Sequence, residues 1–128
     1  MREIKFRAWD KEVKKMRFPK FPTSIAWNED YNECYLTCGY IEAREYGSIG
    51  ELMQFTGLKD KNGVEIYEGD VVRFVWGSAG IVTKMLKGVV EWHSETAHFI
   101  CRGGNKNYLL NSKYEVIGNI YANPELLK

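Results

Sequence analysis

Apolar and polar side chains alternate with a period of two along much of this chain, and that pattern predicts short strands. Ile4, Phe6 and Ala8 alternate with Glu3, Lys5, Arg7 and Trp9. Asp10-Lys11-Glu12 then supplies a turn, and Val13, Met16 and Phe18 return with poorer alternation, so residues 3–18 read as a β-hairpin. Pro19 and Pro22 close this element, because proline has no N–H to give to a ladder. The acidic run from Asn28 to Glu33 reads as an exposed loop, and Tyr35–Ile41 as a further strand. Ser48-Ile49-Gly50-Glu51 has the form of a capping box, a serine with a glutamate three residues on. With Ile49, Leu52 and Met53 on one helical face and Gly57 as a stop, it predicts a helix of one or two turns.

From residue 59 onwards the pattern becomes one of short strands and frequent turns. Asn62-Gly63 and Glu68-Gly69-Asp70 are turn signals, since these residues tolerate positive φ or bond their own backbone. Strands are predicted at 64–67, 71–76, 88–93, 97–101 and 114–121, with Gly77-Ser78-Ala79-Gly80 breaking the longest apolar run. Gly103-Gly104-Asn105-Lys106-Asn107 reads as a flexible hairpin loop, far from a phosphate-cradling pattern. Asn123-Pro124-Glu125 starts a terminal turn, with asparagine as N-cap and proline at the first helical position. The fold class is therefore mainly β. Residues 1–58 carry the hairpin, a variable loop and the short helix, and residues 59–128 form an SH3-like small β-barrel, with an OB-like barrel as the alternative. Closure removes the exposed edges that such short strands would otherwise present, and glycines 69, 80, 88 and 118 fall at its turns or bends.

Composition narrows the class further. The chain has 128 residues, 45% of them apolar, 27% charged and 14% aromatic, which excludes an acidic disordered chain. No stretch approaches the ~20 apolar residues of a bilayer span, so no membrane partner is expected. The N-terminal residues alternate charge with apolar side chains instead of forming a continuous apolar region, so no signal peptide is expected. Cys34, Cys38 and Cys101 are an odd number and read as reduced thiols in a cytoplasmic protein. A net charge of +1 hides segregation: residues 1–20 carry +5, residues 21–70 carry −7 and residues 71–128 carry +3.

That segregation directs the search for chemistry. Lys5, Arg7, Lys14, Lys15 and Arg17 cluster with Trp9 in the N-terminal hairpin, the mixture of cations and aromatics that a phosphate backbone or single strand would use. Arg73, Lys84 and Lys87 could extend such a surface onto the barrel. The near-neutral whole weighs against nucleic acid. The acidic middle segment could instead receive the basic hairpin of a neighbouring subunit, which makes a homo-oligomer the expected assembly. Cys34 and Cys38 with His93 and His98 have the types of zinc ligands, but four residues along a strand put the two thiols ~13 Å apart, so no metal is expected. His93 and His98 beside Glu91 and Glu95 read as solvent-facing hairpin residues, and Asp70 as a carboxylate bonding its own turn. With no Ser/His/Asp order and no paired metal carboxylates, no catalytic residues and no cofactors are expected, and the chain reads as a non-catalytic binding or self-assembling protein.

Four blocks carry a further signal: REIKFRAWDKEVKKM (2–16), LMQFTGLKDKNGVEIYEGDVV (52–72), GVVEW (88–92) and YEVIGNIYANPELL (114–127). In order and content they resemble the YopX family of bacteriophage and prophage proteins, and they span nearly the whole chain. The second block is the most specific. Segments 19–47 and 77–86 have no matching motif. The resemblance implies a phage- or prophage-encoded protein of the bacterial host cytoplasm, with a C-terminal barrel of SH3 type and no assigned activity. It carries over no catalytic or ligand residue.

Overall fold

The computed structural model describes residues 3–11, 14–18, 23–29, 33–38, 52–78 and 81–127, and the period-two pattern becomes strand nearly throughout. The chain divides into two units, Lys5–Gln54 and Met1–Ile4 with Phe55–Lys128.

In the first unit, β1 (Phe6–Asp10) pairs antiparallel with β2 (Lys15–Arg17), with Ala8 opposite Arg17, Trp9 opposite Met16 and Asp10 opposite Lys15. Asp10 completes the strand instead of opening the turn, and its carboxylate accepts a hydrogen bond from Arg17 Nε at 3.3 Å. Lys14 returns the chain with φ 55°. β3 (Thr23–Asn28) and β4 (Glu33–Cys38) form a second antiparallel pair, centred on Ile25 opposite Leu36. Of the acidic run, Asn28 and Glu33 are the paired ends of these strands and Glu29 is exposed in a turn. Residues 19–22, 30–32 and 39–41 lie outside the described ones.

Over Leu52–Gly57, the described part of the predicted joining helix, the chain is not helical. Leu52–Lys59 is instead strand β5, whose first residues lie antiparallel to β1, with Phe6 opposite Gln54 and Arg7 opposite Met53. A helix of one or two turns cannot repay its own nucleation. A strand beside β1 gives every second N–H and C=O a partner and buries Met53 and Phe55 in alternation. Gly57 stops no helix: it lies within the strand at φ 88°, where the pairing register slips. The capping residues 48–51 lie outside the described ones. The 3-10 turn Pro124–Leu127 is the only helical element among the described residues.

In the second unit, Phe55–Lys59 of β5 pairs with β6 (Glu65–Tyr67) through the Asp60–Val64 turn. Then follow β7 (Asp70–Ser78), β8 (Ile81–His93), β9 (His98–Gly103), β10 (Lys106–Leu109) and β11 (Glu115–Asn119). They make a five-stranded antiparallel sheet in the order β10-β9-β8-β7-β11, curled into a half-barrel. Four strands meander, and the fifth returns to the outer edge of the first. β8 starts well before residue 88, and Lys106–Leu109 is a strand, not a loop, because Gly104 at φ 63° turns the chain in place.

One face of this sheet holds the core: Ile66, Val72, Phe74, Val90, Cys101, Leu110 and Tyr114, with Leu86, Phe99, Tyr108 and Val116 packed around them. Each such apolar side chain contributes about 1.5–3 kcal/mol on burial. Gly88 sits mid-strand opposite Val72 where β8 and β9 approach closely. A Cβ there would lie 2.5 Å from the Arg102 carbonyl oxygen and 2.6 Å from Cys101 Sγ. Gly80, placed by the sequence at another bend, lies outside the described residues.

Two carboxylates pin the turns. Asp70 Oδ2 accepts the Tyr67 N–H at 2.8 Å, the local role its turn signal suggested. Asp60, which the sequence did not single out, does more. Its Oδ1 accepts from the backbone N–H groups of Asn62 at 2.8 Å and Val64 at 2.9 Å, and its Oδ2 accepts from Val116 of β11 at 2.9 Å. Burial pushes its pKa up, but the three backbone donors and the nearby Lys61 charge outweigh that and hold it below the usual carboxylate value.

Cys101 gives a direct check on the core. Burial, with the Glu91 charge adding to it, pushes its thiol up to about 12, so almost no thiolate exists at neutral pH. In a Cys34→Ser/Cys38→Ser background, Cys101 is expected to resist an aromatic disulfide reagent for as long as the protein stays folded. It should react at once on addition of denaturant. Prompt reaction in native buffer would contradict this packing.

Candidate binding groove

The strands of the basic hairpin place their candidate residues on two faces, and Lys14 lies in the turn between them. Residues opposite each other in an antiparallel pair share a face, so Lys15 and Arg17 lie with Asp10 and Ala8, while Arg7 and Trp9 lie with Met16 on the other and Lys5 precedes the strand. Arg17 is ion-paired with Asp10 at 3.3 Å, and Arg7 is 6% exposed. Lys14 and Lys15 are exposed. The hairpin therefore carries no single continuous stripe of all six.

The barrel cations divide too. Arg73 and Lys87 are cross-strand neighbours on the outer face. Arg73 donates from Nε to Glu115 Oε2 at 3.1 Å, and Lys61 Nζ lies 3.5 Å from the same oxygen. The Arg73 hydrogen bond, ahead of its charge, holds the Glu115 carboxyl below its ordinary value. Lys84 instead lies on the core-side face, opposite Trp76.

That pairing marks the most distinctive surface of this unit. Along β7, Val72, Phe74 and Trp76 project to the core side, and their opposites on β8 are Gly88, Leu86 and Lys84. The row begins buried and ends in solvent: Phe74 is 5% exposed and Trp76 56%. The aromatic rings form a chain along it. Tyr114 stacks on Phe74 with centroids 4.5 Å apart, Phe74 meets Tyr108 at 4.9 Å, and Tyr108 meets Trp76 edge-on at 5.4 Å. Tyr114 is fixed in turn by its hydroxyl, which donates to the Leu109 carbonyl at 2.8 Å. Burial pushes this hydroxyl up to about 12, so it stays a donor at any physiological pH. Tyr108 reaches Trp76 because Gly103, opposite Lys106, offers no side chain: a Cβ there would come within 3.2 Å of the tyrosine ring.

Trp76 and Tyr108, with Leu86 below, line a cleft of about 590 Å³ whose rim carries Lys84 and Lys106. A second cleft of about 440 Å³ continues past Lys87 and Gly104 and shares Lys84, Lys106 and Tyr108 with the first. No carboxylate lines either, and among the described residues neither Lys84 nor Lys106 is ion-paired. A register shift between Trp76 and Gly77 leaves Thr83 as an extra residue in β8. Such a bulge sharpens local twist and re-aims neighbouring side chains, here beside the Trp76–Lys84 pair.

His93 and His98 are opposite each other at the β8–β9 turn with ring centroids 6.4 Å apart, and His93 Nδ1 is 2.7 Å from Thr96 Oγ1. Glu91 is paired with Arg102 at 3.1 Å. Among the described residues no three His, Cys, Asp or Glu side chains are grouped to hold a metal. No described helix is long and apolar enough to cross a membrane.

The YopX family model, described as YopX protein, matches residues 5–128. The chain belongs to the YopX family. A solved structure, protein EF1440 from Enterococcus faecalis, is 27% identical, covers all of both chains and superposes with a TM-score of 0.59. No curated protein matches. In this YopX chain the groove residues Trp76, Tyr108 and Lys106 went unrecognised in the sequence, although a tryptophan in register with Val72 and Phe74 was there to be read. Lys106 falls in the segment 103–107 whose composition reads as a loop, and Tyr108 follows it directly, so the sequence shows no strand to pair them on.

Proposed function

We propose that this YopX-family chain is a non-catalytic binding protein whose ligand site is the Trp76–Tyr108 groove and whose ligand is an extended polyanion. One observation carries the reading. Two lysines flank a partly exposed aromatic pair fixed to the core, with no carboxylate lining the clefts to neutralise them. A cleft without opposing charge focuses positive potential and attracts anions. The curled five-stranded sheet supports an SH3-like barrel for residues 59–128, a fold that presents such surfaces between its strands and loops. The same reading fits a phage- or prophage-encoded accessory protein of the bacterial cytoplasm, as the family resemblance implies. The N-terminal hairpin is the weaker candidate for a nucleic-acid or subunit contact, because Arg17 is already engaged by Asp10 and the cations are split between faces.

Heparin, a polyanion without bases, tests this. The protein is expected to be retained at low salt. Lys84→Glu/Lys106→Glu should elute much earlier, while Lys14→Ala/Lys15→Ala/Arg17→Ala should elute close to the unmodified protein. Retention that followed the hairpin variant instead would move the site to the first unit.

A further inference from the structure

We infer that the groove takes single-stranded nucleic acid, with bases stacking on Trp76 and Tyr108 and phosphates held by Lys84 and Lys106. This rests on the groove being the polyanion site and names its ligand class. Lysine alone would suit any polyanion. The indole is what favours a nucleic-acid strand, because there a flat π-face accompanies every phosphate along the chain.

The geometry suits a single strand. Trp76 meets Tyr108 edge-on, and Tyr108 packs on Phe74, itself stacked on Tyr114, so the indole loses little freedom when a base settles on it. The aromatic and the cation are direct cross-strand neighbours in Trp76–Lys84, and Tyr108 and Lys106 lie on one face two residues apart on β10. Each of these two pairs therefore offers one stacking surface beside one charge, the alternation that bases and phosphates make along a nucleic-acid strand. The two clefts share Lys84, Lys106 and Tyr108, which gives a track longer than one nucleotide. A duplex hides the faces of its bases in its own stack and cannot use Trp76.

The test is anisotropy of a fluorescein-labelled oligothymidylate of about a dozen nucleotides, inside the ~4–16 nucleotide site sizes of comparable small barrels. The protein is expected to bind it at least about tenfold more tightly than a duplex of the same length. Stacking is worth ~1–3 kcal/mol per base, so Trp76→Ala should weaken binding roughly 5- to 150-fold, with Trp76→Phe retaining most of it. An abasic strand of equal length should bind the unmodified protein at least as weakly as oligothymidylate binds Trp76→Ala, since it also forgoes stacking on Tyr108. Lys84→Ala/Lys106→Ala should lower the slope of log affinity against log salt by about 1.4, at ~0.7 per phosphate contact. Because Trp76 is largely exposed, its variants should keep the unmodified circular dichroism spectrum. Equal binding of abasic and base-bearing strands, or indifference to Trp76→Ala, overturns the single-strand assignment. If heparin retention still depends on Lys84 and Lys106 in that event, the polyanion site survives it; if it does not, both fall.

Discussion

Replacing Asp60 with alanine is expected to destabilise the Phe55–Lys128 unit by about 3 kcal/mol, since an unsatisfied buried donor costs ~1–3 kcal/mol and water can reach part of this turn. Three backbone N–H groups lose their acceptor together, those of Asn62, Val64 and Val116. For a chain of this length, such a loss lowers Tm by roughly 10 °C. Asp60→Asn should cost less, because its amide oxygen can still serve Asn62 and Val64 while its NH₂ confronts the Val116 donor. The effect carries a pH signature. Asp60 has a depressed pKa in the folded state, so its contribution is complete above the unfolded carboxyl value of ~3.9 and fades as pH falls through the folded value. The stability gap between the unmodified protein and Asp60→Asn should therefore be constant near neutrality and narrow only below about pH 4. An alanine variant melting within about 2 °C of the unmodified protein would contradict this role for Asp60.

Gly88→Ala should be at least as damaging, for a steric reason. The new Cβ would lie 2.5 Å from the Arg102 carbonyl oxygen, 2.8 Å from its carbon and 2.6 Å from Cys101 Sγ. Two of these three atoms are backbone of the strand paired with β8, so relief requires β9 to move away and break the Val89–Arg102 pairing. Overpacking that a flexible side chain could absorb costs ~1–3 kcal/mol; against backbone the expectation is about 3 kcal/mol or more. Urea titration followed by tryptophan fluorescence should show a much lower midpoint or no cooperative transition. Val75→Ala, at a position 51% exposed, serves as a control that leaves the midpoint within about 0.5 kcal/mol. An unshifted midpoint in Gly88→Ala would show that the two strands are not in this close register.

These two positions also mark how far the sequence could be read. The strands around Phe6, Ile66, Val72, Val90 and Val116 were legible because short runs of apolar and β-branched residues there are bounded by turn signals. The local pattern misplaced Leu52–Gly57, where Ile49, Leu52 and Met53 satisfy a helical spacing as well as a strand. The choice there was made by β1, a partner more than forty residues earlier that no local window contains. The local pattern overlooked β10 because Gly104 and Asn105 make a tight turn from residues that read equally as a slack loop. Asp60 was silent for a different reason. Its two local bonds look like those of any aspartate in a turn, and the one that matters most reaches a strand 56 residues on. The candidate groove was illegible on the same ground: Trp76, Lys84, Lys106 and Tyr108 come from three strands, and their adjacency is a product of register.

The strand order has a consequence for how the protein is made. β7 is the first strand of the five-stranded sheet to leave the ribosome, and the neighbour that covers its outer edge, β11, is the last. Throughout that interval the nascent chain presents a bare, apolar, pairing-competent edge at Val71 and Val72. Until β11 pairs there that ladder stays open, so Glu115–Asn119 shields an edge synthesised long before it.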